Sequence, residues 1–317
     1  MTEQEAIRKM KAPKDKRQGI WRGGVLQIQV TRSCTESCFG CTQASNLAGK
    51  PAMMTPEQFE TACQSLRGYW GVVGVFGGDP CMSPHFEEIC EIFCRHFPFE
   101  QRGLWSNNLC GKGAICRKTF NPAVSNLNVH TRQENYDEFK RDWPEAMPFG
   151  LESDSRHGPP FVAMQDVGIS DEEIWKRTSE CDVNQRWSAL IGVFRGKLRA
   201  YVCELMYSLS AVHENDQEWP DLGHEVVPGW WQQSINAYAD QIRFHCRRCG
   251  MPLKGAGDLA INGTREQVSK THADWFRPKV RGRPVELVAS LEQLKPDYLP
   301  RATDYVQNAA LPLVELK

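Results

Sequence analysis

Three cysteines fall within eight residues, Cys34-Thr35-Glu36-Ser37-Cys38-Phe39-Gly40-Cys41, in the spacing C-x3-C-x2-C. The apolar run Val25-Leu26-Gln27-Ile28-Gln29-Val30 leads into them, so the thiols belong to a loop at the end of a predicted strand over 25–30. The loop is polar at Thr31, Arg32, Ser33, Thr35, Glu36 and Ser37, which argues against three cysteines packed simply as small hydrophobes. Soft thiolates select iron–sulfur clusters or zinc over hard cations. Three thiolates can hold three irons of one [4Fe–4S] cube and leave the fourth iron open to a small molecule, whereas a structural zinc takes four ligands.

Composition narrows the setting. The chain has 317 residues, 41% hydrophobic and 24% charged, which suits one large α/β domain with a smaller one attached. A formal net charge of −1 supplies no global field toward nucleic acid or membrane. The 13 cysteines read as metal ligands or catalysts in a reducing, cytoplasmic compartment rather than as disulfides. Residues 1–20 are expected to be a basic leader, mobile or bound to the surface, without the apolar segment of a signal peptide. No run is long enough for a membrane span.

Further motifs lie at predicted strand ends. Thr55-Pro56-Glu57-Gln58 opens a helix with Thr55 as N-cap and Gln58 closing a capping box. A buried-type strand, Val72 to Phe76, runs into Gly77-Gly78-Asp79-Pro80, where glycines allow close approach to a ligand and Gly-Asp-Pro is equally good turn chemistry. Ser83 is the expected cap of a helix whose apolar side carries Phe86, Ile89, Cys90, Phe93, Cys94 and Phe97. Gly103 to Asn108 reads as a third strand and its end, Val124 to His130 as a fourth, Met147 to Leu151 as a fifth and Phe161 to Asp166 as a sixth. Asn128 and His130 stand at the end of the fourth, and Glu152, Arg156 and His157 in a polar loop after the fifth. Ligands of (β/α) barrels bind at such C-terminal strand ends.

A second cysteine set follows a change of composition after Asp171. Cys181 precedes a predicted β-hairpin turning at Arg195-Gly196-Lys197, Cys203 follows it, and Cys246-x2-Cys249 comes later. A hairpin brings its two ends together, so four thiolates can meet in a closed site, either a [4Fe–4S] cluster or a four-cysteine zinc.

The C-x3-C-x2-C loop, placed after a first strand, resembles the radical S-adenosylmethionine (SAM) superfamily. Gly77-Gly78-Asp79-Pro80 is similar to that family's glycine-glycine-glutamate-proline motif, with Asp79 in place of Glu, and Ser106 to Asn108 to its third-strand end. Gly40 stands where the family usually has an aromatic residue, with Phe39 one place earlier. The resemblance implies a partial (β/α)6 barrel over 21–170, with Cys34, Cys38 and Cys41 holding a SAM-binding [4Fe–4S] cluster. It implies SAM contacts from Phe39, Gly40, Gly77, Gly78, Asp79, Pro80, Ser106, Asn108 and Asn128. Cys181, Cys203, Cys246 and Cys249 resemble the twitch extension of radical SAM enzymes of the aminocyclitol dehydrogenase type. That implies a small α+β domain over 171–255 with one auxiliary [4Fe–4S] cluster, followed by a C-terminal extension over 256–317.

The activity so implied is reductive cleavage of SAM to a 5′-deoxyadenosyl radical and hydrogen abstraction from a small polar, sugar- or nucleotide-like substrate, fed by a reduced flavodoxin- or ferredoxin-like donor. The auxiliary cluster would take or relay an electron, with substrate lying between the two metals. His130, Glu152 and Arg156 are the candidates for acting on substrate. The basic segment 264–303 leaves open the tailoring of a modified base in nucleic acid; peptide modification and a non-enzymatic zinc protein are the further alternatives.

Overall fold

In the computed structural model, which describes residues 1–16, 24–45, 53–151, 156–253, 259–260, 266–276 and 285–294, the most apolar runs become the middle of one sheet. Helix α1 (Glu3–Lys9) opens on a capping box between Thr2 and Glu5. Strand β1 (Val25–Thr31) is buried along its whole length. Helix α2 (Pro56–Ser65) starts at the expected box, Thr55 with Gln58. Strand β2 (Val72–Gly77) is wholly buried, and α3 (Phe86–His96), β3 (Arg102–Leu104), α4 (Gly113–Thr119) and α5 (Gln133–Asp142) follow. Next come β4 (Arg156–His157), α6 (Asp171–Glu180), α7 (Asp182–Arg186), and the hairpin β5 (Ala189–Phe194) and β6 (Lys197–Tyr201). Helix α8 (Glu204–Val212), β7 (His224–Glu225), α9 (Ala239–Cys246), β8 (Leu259–Ala260), β9 (Glu266–Val268), α10 (Lys270–Phe276) and β10 (Val285–Leu287) follow among the described residues.

The fold is α/β, built on a six-stranded mixed sheet in the order β3-β2-β1-β5-β6-β7. Strands β3, β2, β1 and β5 are parallel; β6 runs against them, and β7, antiparallel to β6, returns to their direction. Parallel strands covered on both faces read as continuous apolar runs, which is why β1 and β2 were legible. The hairpin turns at Arg195 and Gly196, both left-handed, with φ of 49° and 76°.

The sheet corrects the expected barrel. The fourth and fifth predicted strands survive only as single parallel bridges, Trp105 to Asn126 and Asn128 to Phe149, continuing the sheet beyond β3. The sixth, Phe161 to Asp166, is no strand: its second half is a 3-10 turn over Met164–Asp166. The parallel neighbour on the far side of β1 is instead β5. The hairpin expected in a separate small domain is therefore continuous with the main sheet.

Local expectations are corrected too. His85, not Ser83, occupies the cap position of α3, and Ser83 Oγ accepts from His85 N at 3.3 Å. Cys90 is buried as expected but Cys94 is exposed. The described part of the leader is packed, not mobile: Ala6, Ile7 and Met10 are buried in the main core, and α1 lies against α6. Among the described residues, no helix is long and apolar enough to cross a membrane.

Candidate functional site

The cysteine loop leaves β1 at its C-terminal end, between β2 on one side and β5 on the other. In open α/β sheets that reversal of strand order leaves a crevice at the strand ends, where ligands bind. Gly77 and Gly78 shape this place, though by a different route from the expected approach of a ligand. A Cβ on Gly77 would lie 2.5 Å from Thr31 O, and one on Gly78 would lie 2.2 Å from Ser33 O and 2.7 Å from Cys34 Cβ. The two glycines let the cysteine loop rest directly on the end of β2, fixed by Gly78 N to Thr31 O at 3.2 Å and Asp79 N to Ser33 O at 2.7 Å.

Asp79 is fully buried and ties the loop to the next strand end. Its Oδ2 accepts from Thr35 N at 2.6 Å and Thr35 Oγ1 at 2.7 Å, and its Oδ1 from Ser106 Oγ at 3.3 Å and Asn107 N at 3.4 Å. Burial pushes the carboxyl up, and these donors pull it back down. The shorter acid at this position thus has both oxygens engaged within the protein. Pro80 begins a 3-10 turn behind it.

Cys34 Sγ accepts from Glu36 N and from Asn107 Nδ2, each at 3.4 Å. Cys38 and Cys41 are buried, and both lie within electrostatic reach of Cys34, whose thiol is pushed up chiefly by burial. Buried thiols at this density become thiolates only with a cation to compensate them, which is what a metal centre supplies. Gly40 sits at φ 57°, a left-handed turn that a side chain resists, so the aromatic usual in the resembled family gives way here to glycine. Its N–H donates to both carboxylate oxygens of Glu266, at 3.1 Å each, and the Glu266 side chain is buried. Arg132 grips Glu36 with two hydrogen bonds, at 3.1 and 3.0 Å.

The remaining expected residues divide. Phe39 is buried beside Gly40. Ser106 Oγ also donates to Asn108 O at 2.7 Å, and Asn108 Nδ2 donates to Asn135 Oδ1 at 2.6 Å, so both hold the strand end in shape. Asn128 Oδ1 accepts from His130 N at 3.0 Å. His130 and Thr131 are consecutive non-glycine residues with left-handed φ of 49° and 65°. Such strain concentrates at functional positions. Glu152 lies outside the described residues; the backbone of Arg156 pairs with Ala260, and its side chain lies outside them too.

The four later cysteines come together. Cys181 joins α6 to α7, Cys203 caps α8, Cys246 ends α9 and Cys249 is in the turn that follows. All four are buried and line one small cavity of about 20 Å³, with Leu205 and Met206 among its apolar walls. Cys246 Sγ accepts from Asn184 Nδ2 at 3.7 Å and Cys249 Sγ from Met251 N at 3.5 Å. Donors aimed at sulfur are the usual supporting shell of thiolate-held centres. Burial pushes all four thiols up, Cys203 to about 12. Among the described residues no three His, Cys, Asp or Glu side chains converge tightly enough to grip one bare metal ion. Four soft thiols around one cavity are the donor set of a closed four-cysteine centre, cluster or zinc.

The two cysteine sets leave the sheet at opposite ends of its strands. Cys34 follows the C-terminal end of β1, whereas Cys203 follows β6, which runs antiparallel to β5 and ends beside Leu190. Seven residues of β1 span roughly 20 Å.

Sequence reasoning missed Thr35, Asn107, Arg132, Glu266 and Lys16. Thr35 sat inside the cysteine loop and Asn107 inside the stretch singled out for Ser106 and Asn108; the others carry no local signal, because their partners are far away in the chain.

No family model matches the sequence, and no curated protein matches it. Among solved structures, BtrN in complex with AdoMet and 2-DOIA is similar to this chain at 12% identity, covering 73% of this chain and 89% of that one, with a TM-score of 0.44.

Proposed function

We propose that this chain is a radical SAM enzyme, acting by one-electron chemistry on a small polar or nucleotide-type substrate. The observation that carries the reading is the C-x3-C-x2-C loop at the C-terminal end of β1, seated on the Gly77–Gly78 end of β2. When bound, an open-iron [4Fe–4S] cluster with SAM supplies the electron and the 5′-deoxyadenosyl radical.

The chain's own residues do the rest. Cys34, Cys38 and Cys41 hold the cluster, and Asn107 and the Glu36 N–H donate to Cys34. Asp79 fixes the loop through Thr35, and Glu266 fixes it through Gly40. In this reading Cys181, Cys203, Cys246 and Cys249 hold a second, fully ligated cluster with no iron open to substrate, whose role is electron transfer. A reduced flavodoxin- or ferredoxin-like protein is the donor.

Anaerobic reconstitution with iron, sulfide, SAM and a strong reductant tests the reading. The wild type is expected to release 5′-deoxyadenosine and to hold about eight irons, two four-iron clusters. Single replacements C34A, C38A and C41A are expected to abolish release; continued SAM cleavage by any of them refutes the assignment.

A further inference from the structure

Lys16 belongs to the segment expected to be a leader, mobile or bound to the surface, and it is 1% exposed. Lysine is almost never buried to that degree without a negative partner, because an ammonium removed from water costs several kcal/mol. Its Nζ donates to Val202 O, the carbonyl immediately before Cys203. Burial pulls the Lys16 ammonium down, and the nearby Cys203, Cys181 and Cys246, three of the four thiols around the cavity, hold it up. Glu204, next in the chain and equally buried, is the competing anion.

We propose that the Lys16 ammonium is the built-in counter-charge of the four-cysteine centre and sets its reduction potential. The proposal rests on those cysteines holding a metal centre. A cluster held by four thiolates carries excess negative charge, and reduction adds one more. A fixed cation in a low-dielectric surround therefore favours the reduced form and raises the potential. The N-terminal segment would then be part of the electron-transfer apparatus.

The test is a potentiometric titration, followed by electron paramagnetic resonance, of reconstituted wild type, K16M and K16R, with metal content measured for each. K16M is expected to shift the reduced-to-oxidised ratio of the second centre at least tenfold toward oxidised, about 59 mV for one electron. The three-cysteine centre should stay put, and K16R should remain near wild type. A loaded K16M with an unmoved midpoint overturns the proposal. So does an effect that vanishes in an E204Q background, which would make Lys16 the partner of Glu204 alone.

If K16M folds by circular dichroism but fails to load the second centre while K16R loads it, the counter-charge acts at assembly and the proposal stands. Equal failure of K16M and K16R overturns it, since packing rather than charge is then at work. Zinc in place of iron at the four cysteines would refute the auxiliary-cluster part of the proposed function separately. The counter-charge would then be read by chelator competition: K16M releasing zinc at least tenfold more readily supports it, and equal release overturns it.

Discussion

Asp79 has four hydrogen-bond donors on its carboxylate and no exposure to water, so its charge and shape are both fixed by neighbours. Asp79→Asn puts an amide NH2 where one set of donors must point. Buried donors left unmatched cost about 1–3 kcal/mol. D79N is expected to lower the urea-unfolding free energy by about that much and to weaken iron retention by the three-cysteine loop alone. His272 makes a separate residue-scale case. Its Nε2 donates to Arg248 O at 2.7 Å and its Nδ1 faces His213 Nε2 at 2.9 Å, and burial pulls its pKa down to about 4. The unfolded chain takes up a proton near pH 6.5 that the folded one refuses until about pH 4. This contribution is therefore complete above pH 6.5 and is lost as pH falls toward 4, at up to about 1.4 kcal/mol per pH unit. Denaturation curves at several pH values should show a steeper acid loss for wild type than for H272Q across that window.

At the scale of elements, the decisive contact is between the cysteine loop and the end of β2. Any side chain on residue 78 meets backbone, Ser33 O at 2.2 Å, which has no flexible end to swing aside. Gly78→Ala must therefore lift the loop, at a cost of about 1–3 kcal/mol, in the range of overpacked cores. The expected result is loss of iron from the first centre with the second retained, read by metal analysis against C34A as reference. The same scale shows what was legible in local sequence. The Thr55–Gln58 box and the Arg195–Gly196 turn are written in four and two residues and appear where expected. The fourth and fifth strands shrink to single bridges because a short, half-polar segment pairs only where neighbouring strands oblige it.

For the whole molecule, residues 1–16 strap the helices that carry the four cysteines. Glu3 pairs with Arg243 of α9 at 2.6 Å, the terminal ammonium with Glu172 of α6 at 2.9 Å, and Gln185 Nε2 with Lys9 O at 3.1 Å. Exposed ion pairs of this kind contribute at most about 1 kcal/mol each. The larger part comes from burying Ile7 and Met10, about 1.5–3 kcal/mol apiece. Deleting residues 1–16 is expected to cost upwards of about 3 kcal/mol and to lower the melting temperature by several degrees, measured by calorimetry. Iron bound at the second centre should fall more than at the first.

The sequence by itself determined the cysteine loop, its position after the first strand, the second cysteine set and the hairpin within it. These depend on contiguous residues and on periodicities of the backbone. Only the tertiary structure decided that the hairpin joins the main sheet beside β1, that the two cysteine sets leave opposite ends of its strands, and that Asp79 and Glu266 face the loop rather than open space. It also brought Lys16 to Cys203, across 186 residues of chain to the carbonyl of Val202. Burial and charge pairing act through space between residues remote in sequence, and no local pattern records them. The C-x3-C-x2-C loop names the chemistry it can hold; the surrounding fold sets how tightly it is held and how far it stands from the second centre.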